Sequence, residues 1–494
     1  MPNLAHNVVL AAGRYPHRPA LRLGDRIWTY QEVDAVSARV AAALIADGLR
    51  PGDRVGLMLP NVPSFVFLYY GILRAGGVVV PINPLYKARE VEYYLADSGA
   101  GRLFAVDQAM AEAEPATRAT GTQLLRVDPT DVTTVVGAHA PLPAVCDRSG
   151  DATAAIFYTS GTTGRPKGAE LSHDNLIRNI DVVTRLLDLT ERDVVLGCLP
   201  LFHIFGQGCA MNTALKQGAC LVLMPRFEAA AVLRGVAEHG VTVFEGVPAM
   251  YAALLAEPGE ADTSSLRLCV SGGASLPVPV LHGFEKRFEC AILEGFGMSE
   301  CSPVVSFNHP GRPRKAGSIG TPVEGVEVRV LAPDGTPVPR GETGELAVRG
   351  HNVMKGYWNR PDATAEAVPD GWLRTGDLVR EDEDGYLFVV DRKKDMIIRG
   401  GYNVYPREIE EVLYEHPDVL EAAVLGIPHD TLGEDVAAAV VLRPGAAQQP
   451  DELRRFVKER VAPYKYPRTI LYLDALPKSP SGKILKREIT LPHS

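Results

Sequence analysis

The chain has 494 residues, 46% hydrophobic and 22% charged, with a formal net charge of −9. That length exceeds one ordinary domain, and the balance excludes extensive disorder. An acidic total without a clustered basic surface gives no footprint for nucleic acid.

Taken in order, residues 21–30 read as a hairpin about Gly24-Asp25, and Thr29 with Glu32 as the capping box of a helix over 33–49. Strands are expected at 54–59, 78–83 and 102–106, with helices at 64–75 and 87–97 between them. Residues 152–157 form a short apolar run, predicted as a buried strand. Beyond it follow a helix at 175–187, a strand at 193–198 and a helix at 205–216. A β-α-β unit at 220–224, 229–239 and 241–244 comes next, then strands at 266–271 and 291–294. This alternation predicts parallel βαβ units.

The texture changes near Gly317. Residues 326–331 and 344–349, with the turn Pro333-Asp-Gly-Thr336, read as antiparallel strands of a small barrel-like part. Asp384-Gly385 turns into a strand at 386–390, which runs into the charged knot Asp391-Arg-Lys-Lys-Asp395. There the domain boundary is drawn, giving 1–393 and 394–494. The second unit reads as small and α+β, with helices at 406–415 and 450–461 and strands at 420–426 and 435–442. The expected fold is therefore α/β, a large N-terminal domain of mixed parallel sheets with helices followed by a small mobile α+β domain.

Seven cysteines, an odd number with no C-x-x-C pair, are expected as reduced, mostly buried thiols. Met1-Pro-Asn-Leu-Ala-His6 has no basic segment leading an apolar core, so no signal peptide is expected. Residues 55–73 are the most apolar uncharged run, but Pro60, Asn61, Pro63 and Ser64 break it, so no membrane span is expected. A cytoplasmic location follows as the default.

The stretch on which the chemistry turns is Tyr158-Thr-Ser-Gly-Thr-Thr-Gly-Arg-Pro-Lys-Gly168. Its glycines let backbone N–H groups approach a ligand, its hydroxyls donate to oxyanions, and Lys167 offsets negative charge. It lacks the Gly-x-x-x-x-Gly-Lys-[Ser/Thr] spacing of a Walker A loop. By composition alone it is also a solvated turn. Likewise, Glu294-Gly-Phe-Gly-Met-Ser-Glu300 follows a strand, where open α/β sheets put ligands, and Glu300 offers a hard oxygen suited to Mg²⁺; alone it is also a plain turn. Asp377 follows a Thr-Gly turn, as a ribose acceptor or an Asx-turn acid. His203 is a lone imidazole among apolar residues, and one histidine without a Cys/His/acid cluster is no metal site. Lys483 sits in a Ser-Gly-Lys loop near the C-terminus.

These motifs, in this order, resemble those of the adenylate-forming superfamily, the AMP-binding enzymes and acyl-CoA synthetases, over roughly residues 5 to 490. The Glu-Cys-Ser-Pro sequence 300–303 is most similar to that of fatty-acid–CoA ligases. The resemblance implies that Thr159, Ser160, Gly161, Thr162, Thr163, Gly164 and Lys167 cradle the ATP phosphates. It implies an adenine and α-phosphate wall of Gly272, Gly273, Ala274, Glu294, Gly295, Phe296, Gly297, Met298 and Ser299, Ser299 standing where the family commonly has Thr. Asp377 and Arg392 would hold the ribose and Glu300 the Mg²⁺. His203 would lie between the carboxylate and the acyl pocket. Lys394 and Asp395 would form the hinge, and Gly401 would border the pantetheine path. Lys483 would be the catalytic lysine, because an ammonium bridging carboxylate and α-phosphate relieves anion–anion repulsion in the transition state.

The implied activity is an acid–thiol ligase: a carboxylic acid reacts with ATP to give an acyl-adenylate and pyrophosphate, then coenzyme A takes the acyl group and AMP leaves. No Asp or Glu occurs between Leu199 and Pro225, so an amino-acid ammonium has no partner there. Phe202, Phe205 and Met298 favour a fatty acid or, as the alternative, an aryl or cinnamate-type acid. Delivery of the acyl-adenylate to a carrier protein is the other alternative. A homodimer is compatible with this reading.

Overall fold

The computed structural model describes residues 2–137, 139–142, 144–159, 165–429, 431–479 and 482–490. Two large sheets dominate it. The first has nine strands in the order Thr321–Pro322, Val304–Phe307, Ile292–Gly297, Leu268–Ser271, Val243–Gly246, Val194–Gly197, Cys220–Leu223, Pro19–Leu23 and Arg26–Thr29. From Ile292–Gly297 through Pro19–Leu23 its neighbours run parallel, as the alternation predicts. Side chains alternate across the sheet: Val195, Val243, Val270 and Leu293 enter one core, and Leu196, Phe244, Cys269 and Ile292 enter another.

The second sheet has seven strands in the order Gly356–Tyr357, Lys167–Ser172, Thr153–Thr159, Val78–Pro81, Arg54–Met58, Arg102–Ala105 and Gln123–Arg126. Strand Lys167–Ser172, absent from the sequence reading, pairs antiparallel with Thr153–Thr159. The hydroxyl-rich stretch therefore connects two strands of a hairpin instead of leading directly to a helix. The expected capping box is present: Thr29 accepts from the Glu32 N–H, and Glu32 accepts from the Thr29 N–H at the head of helix Tyr30–Ala46.

Residues 326–392 form an antiparallel sheet of four strands, Val326–Leu331, Thr343–Gly350, Leu373–Glu381 and Leu387–Arg392, in an open row; the structure supports a sheet here and no closed barrel among the described residues. Thr375-Gly376-Asp377 is no free turn: it lies inside the nine-residue strand Leu373–Glu381 beside a register shift. A last sheet of five strands uses only residues 397–472. Its two cores, around Val424 and Ala437, share no member with those of residues 4–387.

The expected helix at 205–216 is π-helical over Gly206–Asn212 and α-helical over Thr213–Gln217. All seven cysteines are free thiols, five of them buried. No helix among the described residues is long and apolar enough to cross a membrane.

Packing of the last antiparallel edge is unforgiving at Gly320. Its φ is +76°, and an added Cβ would lie 1.9 Å from the Phe307 carbonyl carbon. Gly320→Ala should lose roughly 2–5 kcal/mol of stability through backbone strain and overlap. Urea denaturation checks this, and an unchanged midpoint would contradict the packing described.

Candidate active site

Strand Ile292–Gly297 is the common wall of two cavities. The larger, about 220 Å³, opens between the ends of the parallel strands and the C-terminal unit; Gly273, Ala274, Asp377, Arg392, Asp395 and Lys483 line it. The smaller, about 50 Å³, is lined by His203, Phe205, Gly272, Met298, Pro303 and Phe307, among others. Gly273, Gly295, Phe296 and Gly297 line both. The wall is thin because it cannot be thick: a Cβ at Gly295 would sit 2.2 Å from the Phe307 ring, and one at Gly297 2.5 Å from the Pro303 carbonyl oxygen.

Charge gathers at the rim of the larger cavity. Asp377 is 4% exposed and pairs with Arg392 Nε at 3.1 Å, its cross-strand partner. Burial raises the Asp377 pKa, opposed by Arg392 and Lys483. Lys483 arrives on the loop after Gly482, which packs against Val247. Burial, reinforced by repulsion from Arg392, pulls its ammonium down to about 8. Across the wall, burial pushes the His203 imidazole down to about 4, and the Lys483 charge acts in the same direction. His203 is therefore neutral at pH 7, and its Nδ1 accepts the Phe205 N–H at 3.3 Å.

Glu300, 6% exposed, joins the two large sheets. Its Oε1 accepts the hydroxyls of Thr159 and Tyr357, each at 3.0 Å. Both bonds fall on one oxygen, so Oε2 is the atom available to a cation. No group of three or more His, Cys, Asp or Glu suited to a metal occurs among the described residues. A single carboxylate completed by phosphate oxygens and water is the way Mg²⁺ is commonly held, so Glu300 fits that ion. Lys167 Nζ lies 5.1 Å from the Tyr357 ring centroid. Ser160, Gly161, Thr162, Thr163 and Gly164 lie outside the described residues.

The stems of that loop are tied to one helix, Ala88–Ser98. Tyr158, before the loop, donates to Asp97 Oδ2 at 2.8 Å, and Arg360 pairs with Asp97 Oδ1 at 2.5 Å. Tyr93 donates to the Pro166 carbonyl, after the loop, at 2.7 Å. Sequence reading missed these residues and Tyr357. Gly356-Tyr-Trp was the available signal, a glycine–aromatic run that pairs at the sheet edge with the strand after the loop.

Other expected site residues fall elsewhere. Glu294 turns its carboxylate from the cavity to accept the Leu276 N–H at 3.0 Å, and burial pushes it up to about 7. It supports the loop carrying Gly273 and Ala274. Ser299 begins the short 3₁₀ turn Ser299–Cys301. Lys394 is exposed in the turn that carries Asp395. Gly401, at φ +84°, sits in an exposed turn between strands Ile397–Arg399 and Tyr402–Val404 and lines neither cavity.

Comparison with known proteins agrees with this geometry. Residues 9–358 match the family described as AMP-binding enzyme, and residues 408–483 match the AMP-binding enzyme C-terminal domain. The long-chain-fatty-acid–CoA ligase of Bacillus subtilis (strain 168) is 37% identical, covering 99% of this chain and 94% of its own. The feruloyl-CoA synthase of an Amycolatopsis species is 41% identical, with 96% of each covered. Among solved structures, the anthranilate CoA ligase AuaEII in complex with anthranoyl-AMP superimposes with a TM-score of 0.93 at 30% identity, over 98% of this chain and 95% of that one. With its two family matches in chain order and relatives alike over nearly its whole length, the chain belongs to the AMP-binding enzymes.

Proposed function

We propose that the protein is an AMP-forming acid–thiol ligase, an acyl-CoA synthetase. In the first step a carboxylate oxygen attacks the α-phosphorus of ATP; an O–P bond forms and pyrophosphate leaves with the electron pair of the broken one. In the second the thiol sulfur of coenzyme A attacks the acyl carbon, the C–S bond forms, the C–O bond to phosphate breaks, and AMP leaves. The observation that carries this reading is one ammonium, Lys483, beside a backbone-thin wall with an apolar cavity on its far side. A carboxylate in the smaller cavity and an α-phosphate in the larger would meet there, and their repulsion is what a positioned cation relieves.

Asp377 and Arg392 are assigned to the ribose, Lys167 and the loop 159–164 to the phosphates. Glu300 would hold Mg²⁺, which supplies charge neutralisation of the phosphates when bound. The separate cores support a division into 1–393 and 394–494, with rotation at Lys394 and Asp395 exchanging Lys483 for the turn at Gly401. The relatives' names support fatty and aryl acids alike. A panel of acids scored by pyrophosphate release, with and without coenzyme A, tests the proposal. Acid-dependent pyrophosphate and a CoA thioester are expected; acid-independent phosphate release would refute it, and adenylate without thioester would point to a carrier-protein acceptor.

Lys483 gives a pH test. With its pKa near 8, it is charged below and neutral above that pH, so kcat/KM for adenylation should decline with an apparent pKa of about 8. Lys483→Arg, whose side chain stays protonated, should remove that decline from whatever activity remains. Lys483→Ala should abolish adenylation while sparing thioester formation from supplied acyl-AMP. Equal loss in both half-reactions would exclude a step-specific role.

The hinge is tested by Lys394→Pro. The Lys394 N–H makes no hydrogen bond among the described residues, and its φ is not positive, so proline fixes that torsion and restricts Lys393 before it without breaking a backbone hydrogen bond. The two half-reactions should then separate, one near its normal rate and the other collapsed. Proportionate rates close to wild type would sink the rotating-domain mechanism.

A further inference from the structure

Two helices, one on each side of residues 394–395 in the chain, have their first turns closed by carboxylates from the opposite side. Helix Val278–Phe288 packs on the first sheet through Phe284, and its first N–H, that of Val278, donates to Glu411 Oε2 at 3.3 Å. Glu411 is in helix Pro406–Tyr414 of the C-terminal unit. That helix in turn gives its Arg407 N–H to Asp391 Oδ2 at 3.1 Å, on strand Leu387–Arg392. Pro277 and Tyr405, which precede the two helices, make no side-chain cap of their own among the described residues. The N–H groups of a first turn have no partner inside their helix, and the helix dipole favours an anion beside them.

The Arg407 side chain crosses the same seam. Its guanidinium donates to the carbonyls of Val389 at 2.5 Å and Gly317 at 3.5 Å, and its Nε is 3.7 Å from Glu411 Oε1. Gly317 lies against Val278, whose side chain would be 3.5 Å from an added Cβ, so the contacts form one patch. Burial raises the carboxyl of Asp391 to about 6 and raises that of Glu411; Lys486 opposes the shift at the first, Arg407 at the second. Asp391 is therefore ionised at pH 7. Apart from the Arg407–Glu411 pair, each of these bonds joins a residue before 392 to one after 406. A rotation about Lys394 and Asp395 that carries the helix off the strand breaks them together. In the arrangement they hold, Gly482 packs against Val247 and Lys483 reaches the larger cavity.

We propose that Glu411 and Arg407 are positioning residues that hold the C-terminal unit where Lys483 serves adenylation, and so set how readily the unit leaves for thioester formation. The inference rests on the rotating-domain reading above. A contact made in one orientation and absent from the other shifts the equilibrium between them, whereas a contact common to both shifts nothing. Rotation hands the Val278 N–H and the Arg407 guanidinium to water. The bias is thus the difference between protein and water partners, about 10-fold for one hydrogen bond to a charged group.

The test measures the half-reactions apart: pyrophosphate release from ATP and acid without coenzyme A, and thioester formation from supplied acyl-AMP and coenzyme A. Each rate follows the population of its own orientation, so their ratio reports the equilibrium. Glu411→Ala should move the ratio about 10-fold toward thioester formation. Glu411→Gln, whose amide oxygen still accepts the Val278 N–H, should keep most of the wild-type ratio. Arg407→Met keeps the apolar stem without the guanidinium and should move the ratio in the same direction as Glu411→Ala; it decides the matter should Glu411→Ala not fold. A merely structural role would lower both rates together. An unchanged ratio, a shift toward adenylation, or a raised KM for ATP with the ratio unmoved overturns the assignment while leaving the ligase activity intact. If wild type releases no pyrophosphate with any acid, the ligase reading fails and this one with it.

Discussion

The molecule is organised around a strand that cannot carry side chains at two of its positions, 295 and 297. Along Ile292–Gly297, the Phe307 ring and the Pro303 carbonyl oxygen occupy the space that a methyl group at 295 or 297 would need. The two cavities are consequently separated by one thickness of backbone. Any bulk there would push Val304–Phe307 off its antiparallel partner and disturb both cavities at once. Thinness is also what the proposed chemistry requires, because groups entering from opposite sides have to come within bonding distance.

Desolvation gives the site its electrostatic character. Burial drives acids and bases alike toward neutrality: Lys483 and His203 downward, Asp377, Glu294 and Glu245 upward. A nucleotide polyphosphate would reverse this for Lys483 by placing anionic charge nearby, which favours the protonated form. Glu294 and Glu245 differ in kind although both are buried acids. The first has the Leu276 N–H and holds a loop; the carboxyl oxygens of the second have no partner among the described residues.

Much of this was legible in the residues. Strand and helix alternation to residue 294 follows from apolar periodicity, and Thr29 with Glu32 gave a true helix start. The positions of Lys483, Asp377 and Arg392 were reached by resemblance to a family, and the structure brings the three together. What escaped has physical causes. Lys167–Ser172 is too short and too mixed to declare itself beside a glycine-rich loop, so the hairpin was missed. Thr375-Gly376 suggests a turn locally, but pairing on both sides absorbs it as an irregularity in a strand. Tyr357 and Asp97 act through partners 57 and 263 positions away, a distance over which local pattern carries no information. Glu245 looks like an ordinary charge in sequence and becomes unusual only because its carboxyl, fully buried, has no partner among the described residues.

The tie between helix Ala88–Ser98 and the stems of the hydroxyl-rich loop bears on how such a chain changes over generations. Asp97 receives Tyr158 on one oxygen and Arg360 on the other, and Tyr93 on the same helix holds Pro166. Losing Asp97 alone would strand a phenol and a guanidinium together; losing either partner would leave half a carboxylate bare. By this physical argument a single substitution at one of these positions costs more than a paired one, and the stems of the loop are constrained by residues outside it.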